Sequence, residues 1–164
     1  DGPQDNELYK SIQIELPWDD PLNRQAFQQP LHFMKISGVY ARDESVEFNA
    51  EQYALAHYAA NMLVMGPNLA LSVDDITDGT SNTFMVGEVN SNFRPWGDPL
   101  NVRDVALGLN KAPDGFGSRF KGVYFMRADG SVAFVNEDFS QETLNATATP
   151  AGGEQETVPG GLIE

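Results

Sequence analysis

The chain has 164 residues, no cysteine, and 24 acidic against 10 basic side chains, a formal net charge of −14 at pH 7. That length suits one domain with its own core. The charge argues against nucleic acid and anionic membrane surfaces as partners, which are bound through clustered cations, and the missing cysteine excludes disulfides, thiolate metal sites and cysteine nucleophiles.

An apolar fraction of 41% with 15 glycines and 10 prolines predicts a loop-rich fold with short strands. The first third is irregular, with "ELPWDDPLNRQ" setting turns around one aromatic anchor, Trp18, and room for a helix nearby. From Asn49, "NAEQYALAHYAANML" offers an N-cap, helix-favouring residues, and Tyr53, His57 and Ala60 at helical spacing, which predicts a helix to about Ala56. "MLVMGPN" reads equally well as an extended segment stopped by Gly-Pro.

"ITDGTSNTFMVGE", Ile76 to Glu88, packs small and polar residues from Asp78 to Thr83 ahead of an apolar run. Asp78 and Asn82 can bond nearby backbone and Gly79 can supply an unusual φ, so a turn leading into a strand is expected. In "GVYFMRADGSVAFVNE", Asp129-Gly130 separates two apolar runs and predicts a hairpin with a two-residue type I′ turn. That turn sets Tyr124 opposite Val135, Met126 opposite Ala133, Ala128 opposite Ser131, and Phe125 opposite Phe134, in a sheet covered at least in part on both faces. Ser140 caps a helix through Thr147. Residues 155–164, "QETVPGGLIE", form a tail that needs packing or assembly contacts, after a head domain spanning 1–154.

The reactive-site templates fail one by one. Counted from Asp74, an EF-hand would put Met85 where a bidentate acid belongs, leaving only a looser calcium site built on Asp75 and Asp78. There is no phosphate loop and no G-x-S-x-G elbow. His32 and His57 sit in contexts that suit packed or surface histidines, and the pairs Asp19/Asp20 and Asp74/Asp75 suit a solvated face. Trp18 and Trp96, the latter inside "FRPWGDP", offer rings for sugar stacking, with burial in a core as the commoner use. No catalytic residue and no cofactor are expected.

"LYKSIQIELPWDDPLNRQ", "YAANMLVMGPN", "ITDGTSNTFMVGE", "ADGSVAFV" and "ETLNATATPAGGE" occur in an order that resembles the DUF1559 family, whose members carry an H-x9-DG signature. The resemblance covers about Leu8 to about Glu154. It implies a pilin-like α+β head with an antiparallel sheet, long loops and short helices, normally preceded by a long apolar N-terminal helix. Two departures stand out. Arg119 takes the place of the signature histidine, so no role of that histidine carries over, and Lys35, Ile36 and Ser37 stand near where members often have Cys-Pro-Ser.

The start at "DGPQDNELYK" lies well inside such a head, so the helix would be left out, removed, or supplied as a separate chain. A membrane would be reached only through that helix. The resemblance implies a structural subunit of an extracellular or cell-surface fibre or pseudopilus, partnered by copies of itself or by a separate pilin-helix chain. The alternative from the residues is a surface module binding carbohydrate through Trp18 and Trp96.

Overall fold

A computed structural model describes residues 3–36 and 47–153. The expectations for Ser37 and for the tail, with Val158, Leu162 and Ile163, lie outside the described residues. The protein is α+β, with short helices and two small sheets, and it divides into two compact units, Asp1–His57 with Phe93–Asn101, and Tyr58–Asn92 with Val102–Glu164. No helix among the described residues is long and apolar enough to cross a membrane.

In the first unit, α1 (Pro3–Ser11) starts on a proline, whose fixed φ suits a first helical turn. The Glu7–Lys10 pair lies along it, and the Ser11 hydroxyl donates to the Leu8 carbonyl at its end. Turns then lead to α2 (Arg24–Phe27). Asn23, fully buried, ties these turns together: its Oδ1 accepts from the Gln13 amide and its Nδ2 donates to the Gln13 and Pro17 carbonyls. The small core is Ala26, Phe27 and Tyr53, with Leu8, Ile12, Trp18 and Trp96 packed against it. Strand β1 (Leu55–Ala56) pairs antiparallel with β4 (Arg94–Pro95).

The helix expected from Asn49 is absent. Asn49 instead closes a tight loop, accepting at Oδ1 from the Tyr53 amide while its own amide donates to the Tyr53 carbonyl, with Gln52 at φ 67°. The reason lies in burial: from Tyr53 to Ala59 only Tyr58 is not buried, and an isolated amphipathic helix would leave one side wet. Alanines that favour helix by propensity here let backbones pack closely, a tertiary override of a weak local preference.

The second unit is built on a five-stranded sheet in the order β5-β2-β3-β6-β7, where β2 is Tyr58–Asn61, β3 Phe84–Glu88, β5 Val102–Arg103, β6 Gly122–Arg127 and β7 Val132–Asn136. Its pairs are antiparallel except β2 with β5. "MLVM" resolves to one helical turn, α3 (Met62–Met65), capped by the Asn61 side chain, which accepts from the Leu63 amide. The expected C-terminal helix is α4 (Gln141–Ala146), with the Ser140 hydroxyl accepting from the Thr143 amide.

The hairpin is where the sequence places it, but its register differs by one residue. Tyr124 faces Phe134, Phe125 faces Ala133 and Met126 faces Val132. The Gly130 amide donates to the Arg127 carbonyl and the Arg127 amide to the Ser131 carbonyl, so the loop has three residues and only Gly130 (φ 83°) is left-handed. This is a type I turn followed by a glycine bulge. Asp129 favours it by accepting at Oδ1 from the Ser131 amide. The slip re-sorts the faces: Val123, Phe125, Ala133 and Val135 are buried, whereas Met126 is 40% and Val132 59% exposed. One face is therefore covered and the other half open, within the expectation of a sheet covered at least in part on both faces.

Gly130→Val should lower stability by on the order of 1–3 kcal/mol, because a β-branched residue is forced to positive φ. A Cβ there would meet nothing within 4 Å, so the cost is backbone strain alone, and Gly130→Asn should recover most of it. Equal melting temperatures for wild type and the valine variant would overturn this turn assignment.

Candidate functional site

The expected turn at Asp78–Thr83 is present and does more than turn. The Asn82 Nδ2 donates to the Asp78 carbonyl and the Thr83 hydroxyl to the Gly79 carbonyl, with Gly79 at φ 95°. The Asp78 carboxylate, however, receives the Gly152 amide at 2.6 Å and the Gly153 amide at 2.9 Å, while the Asp78 amide donates to the Pro150 carbonyl. It is a latch that pins the segment after α4 to the turn.

Asp75 belongs to a separate arrangement, a capping box in which its carboxylate accepts from both the amide and the hydroxyl of Ser72. Those bonds hold the Asp75 carboxyl below the usual range. The two calcium candidates thus spend oxygens on different protein donors. Among the described residues no group of three or more His, Cys, Asp or Glu side chains could hold a metal ion.

Trp18 and Trp96 share one aromatic cluster. Trp18 meets Phe27 and Tyr53 edge-on at 6.1 and 5.0 Å, and Trp96 lies 4.4 Å from Phe27 with its Nε1 donating to the Gln29 carbonyl. Both are half-buried, with part of each ring packed against this core. His57 is also packed: Nδ1 accepts from the Ile36 amide, and the ring lies 5.0 Å from Phe93. His32 is exposed. Asp129 and Gly130 shape the hairpin loop, and the Asp129 amide also donates to the Thr80 carbonyl.

The titratable group that sequence reading missed is Glu88. It faces Tyr58 across the strands, is only 5% exposed, and its Oε2 accepts from the Tyr124 amide. Burial pushes its carboxyl above the usual range, with the Tyr124 amide pulling the other way. Burial first, and then the Glu88 charge, raise the Tyr58 phenol. A carboxyl raised by folding contributes stability that is full below its unfolded pKa and lost as pH rises through its folded pKa. Glu88→Gln should remove that loss, since an amide oxygen can still accept from Tyr124. The variant should therefore gain melting temperature relative to wild type as pH rises above the ordinary glutamate pKa of about 4.3. Parallel pH profiles for the two proteins would refute it.

Asparagines organise the long connection between β5 and β6. Asn90 donates to the Ser118 carbonyl, Asn92 donates to Asp114, and Asn110 at φ 57° donates to the Phe120 carbonyl and to Glu137 while accepting from the Ser118 amide. "VNSNF", three polar residues directly after a strand, was the available signal.

Among the described residues of this unit, exposed apolar side chains include two groups. One is the outer sheet face, where Met126 and Val132 stand opposite each other beside the Tyr124–Phe134 ring pair, at 4.9 Å, and half-buried Val86 and Ala60. The other runs through α3 and beyond it, with Met62, Leu63, Met65, Leu69, Leu71 and Val73 all exposed. Exposed apolar side chains that fall together on a surface mark contact sites more than catalytic ones. Comparison with protein-family models, with curated proteins and with solved structures finds no match for this chain.

Proposed function

We propose that the protein is a structural subunit, the globular head of a type IV pilin-like or pseudopilin-like protein that assembles into a fibre or pseudopilus outside the cytoplasm. The observation that supports this most is the half-open outer face of the sheet. Met126 and Val132 form the pair nearest the turn of a hairpin whose opposite face is closed by Val123, Phe125, Ala133 and Val135. Such a face gains stability when another element covers it, at roughly 25 cal/mol per Å² of apolar surface removed from water. The long apolar helix implied by the family resemblance is an element of suitable chemistry, whether it belongs to a longer form of this chain or to a partner.

The role is mechanical. The sheet, the Asp78 latch and the asparagine-held loop keep the head rigid and present its surfaces in fixed places. Immunogold electron microscopy of intact cells and of the fraction sheared from their surface tests the reading. Labelled filaments are expected. Label confined to the cytosol, or dispersed on the surface without filaments, would refute it.

A further inference from the structure

A fibre built from one repeated contact needs two different, complementary patches on each subunit, because a heterologous contact that does not close on itself extends indefinitely. The second unit carries two such patches. The first is the apolar ledge from Met62 to Val73. No lysine or arginine occurs between Arg42 and Arg94, and the ledge runs directly into Asp74, Asp75 and Asp78. Asp74 is exposed and engages no cation, and among the described residues the ion pairs all lie elsewhere.

The second patch is the loop Arg119-Phe120-Lys121. Arg119 and Lys121 flank Phe120, two adjacent cations in a chain that carries −14 overall. Phe120 is 48% exposed, and the Arg119 guanidinium lies 5.0 Å from its ring centre. The loop is held from behind: the Phe120 amide donates to the Ser118 hydroxyl, the Phe120 carbonyl accepts from Asn110, and the Lys121 carbonyl accepts from the Glu137 amide. Backbone fixed on both sides of an outward-pointing aromatic is pre-organisation for binding, since little freedom remains to be lost.

The strand registers put the patches at opposite ends of the sheet. Asn61, from which the ledge departs, donates to the Phe84 carbonyl, Phe84 pairs with Arg127, and the Asp129 amide reaches the Thr80 carbonyl, so the ledge lies at the hairpin-turn end. Lys121 precedes Gly122, which pairs with Asn136 at the other end. The length of β6 separates them by roughly 20 Å at about 3.3 Å per residue.

We infer that the Arg119-Phe120-Lys121 loop of one copy docks on the acidic-rimmed Met62–Val73 ledge of the next, joining heads end to end along the strand direction. Phe120 enters among the methionines and leucines, whose flexible side chains adapt to a ring, while Arg119 and Lys121 meet Asp74 and its neighbours. This rests on the fibre-subunit reading and names the contact within the fibre. The general repulsion between acidic heads then favours this one orientation over others.

Charge reversal tests it. The loop variant is Arg119→Glu with Lys121→Glu. The ledge variant is Val73→Lys with Asp74→Lys, which spares the Asp75 cap, and circular dichroism checks that both fold. In sedimentation velocity up to about 1 mM protein, wild type should form open-ended oligomers that weaken as salt is raised to about 0.5 M. Each variant alone should sediment as a monomer, and an equimolar mixture should assemble, because each reversed patch then finds an opposite charge. If either variant misfolds, Phe120→Ser and Leu63→Ser replace the reversals and should each abolish assembly.

A monomeric wild type, a limit at a closed dimer, variants that assemble alone, or a mixture that stays dispersed would each overturn the contact. On cells, labelled fibres built from the loop variant would overturn the contact and leave the fibre reading standing. A lack of labelled fibres with wild type would overturn the fibre reading itself.

Discussion

Asn61→Ala is expected to lower unfolding stability by on the order of 2–6 kcal/mol, at about 1–3 kcal/mol for each of the two buried carbonyls left without a partner. Asn61 is fully buried at the end of β2, and its Nδ2 donates to the Phe84 carbonyl at 2.8 Å and to the Ala148 carbonyl at 2.7 Å, while Oδ1 accepts from the Leu63 amide at 3.1 Å. One side chain thus joins β2 to β3, holds the segment after α4, and caps α3. A folded domain has about 5–15 kcal/mol in all, so the variant should be close to unfolding at physiological temperature. Urea denaturation measures it, and a loss below about 1 kcal/mol would mean that water or rearrangement replaces all three bonds.

The second large effect is in the aromatic core of the sheet. Phe125 is fully buried, stacked on Phe84 at 4.5 Å and edge-on to Phe116 at 4.9 Å. Phe125→Ala should cost about 3–5 kcal/mol through lost contacts and the cavity left behind. Gly87 faces that ring so closely that an added Cβ would lie 2.5 Å from Phe125 and 2.7 Å from Phe116, so Gly87→Ala alone should cost about 1–3 kcal/mol by overpacking. The double variant should be more stable than the sum of the two losses by about 0.5–3 kcal/mol, because the new methyl occupies part of the cavity. Strict additivity in denaturant melts would show that Gly87 and Phe125 do not compete for the same space.

The Met62–Val73 ledge and the Asp78 latch lie at the same end of the sheet. The latch secures the segment from Pro150 to Gly153 against the turn that follows the ledge. A hydrogen-bonded anchor there limits the motion of the ledge's C-terminal side, where Asp74 and Asp75 lie. The turn that looked most like a ligand loop in the sequence therefore acts through backbone amides far along the chain.

Short-range chemistry was legible in the sequence. Asp129-Gly130 marked a hairpin, Ser140 marked a helix start, and Asp78–Thr83 marked a turn into a strand, because each rests on residues within a few positions. Tertiary structure decided the rest. The hairpin register turned on whether Asp129 bonded Ser131 and on which strand face the core would bury, and a slip of one residue exchanges every side chain between faces. The stretch after Asn49 became a loop and strands because its alanines were buried from both sides. Asp78 found Gly152 and Gly153, and Asn61 found Ala148, across 74, 75 and 87 positions. Polar side chains carry no mark of such distant partners. Which carbonyl or amide each one meets is set only when burial removes water as the alternative.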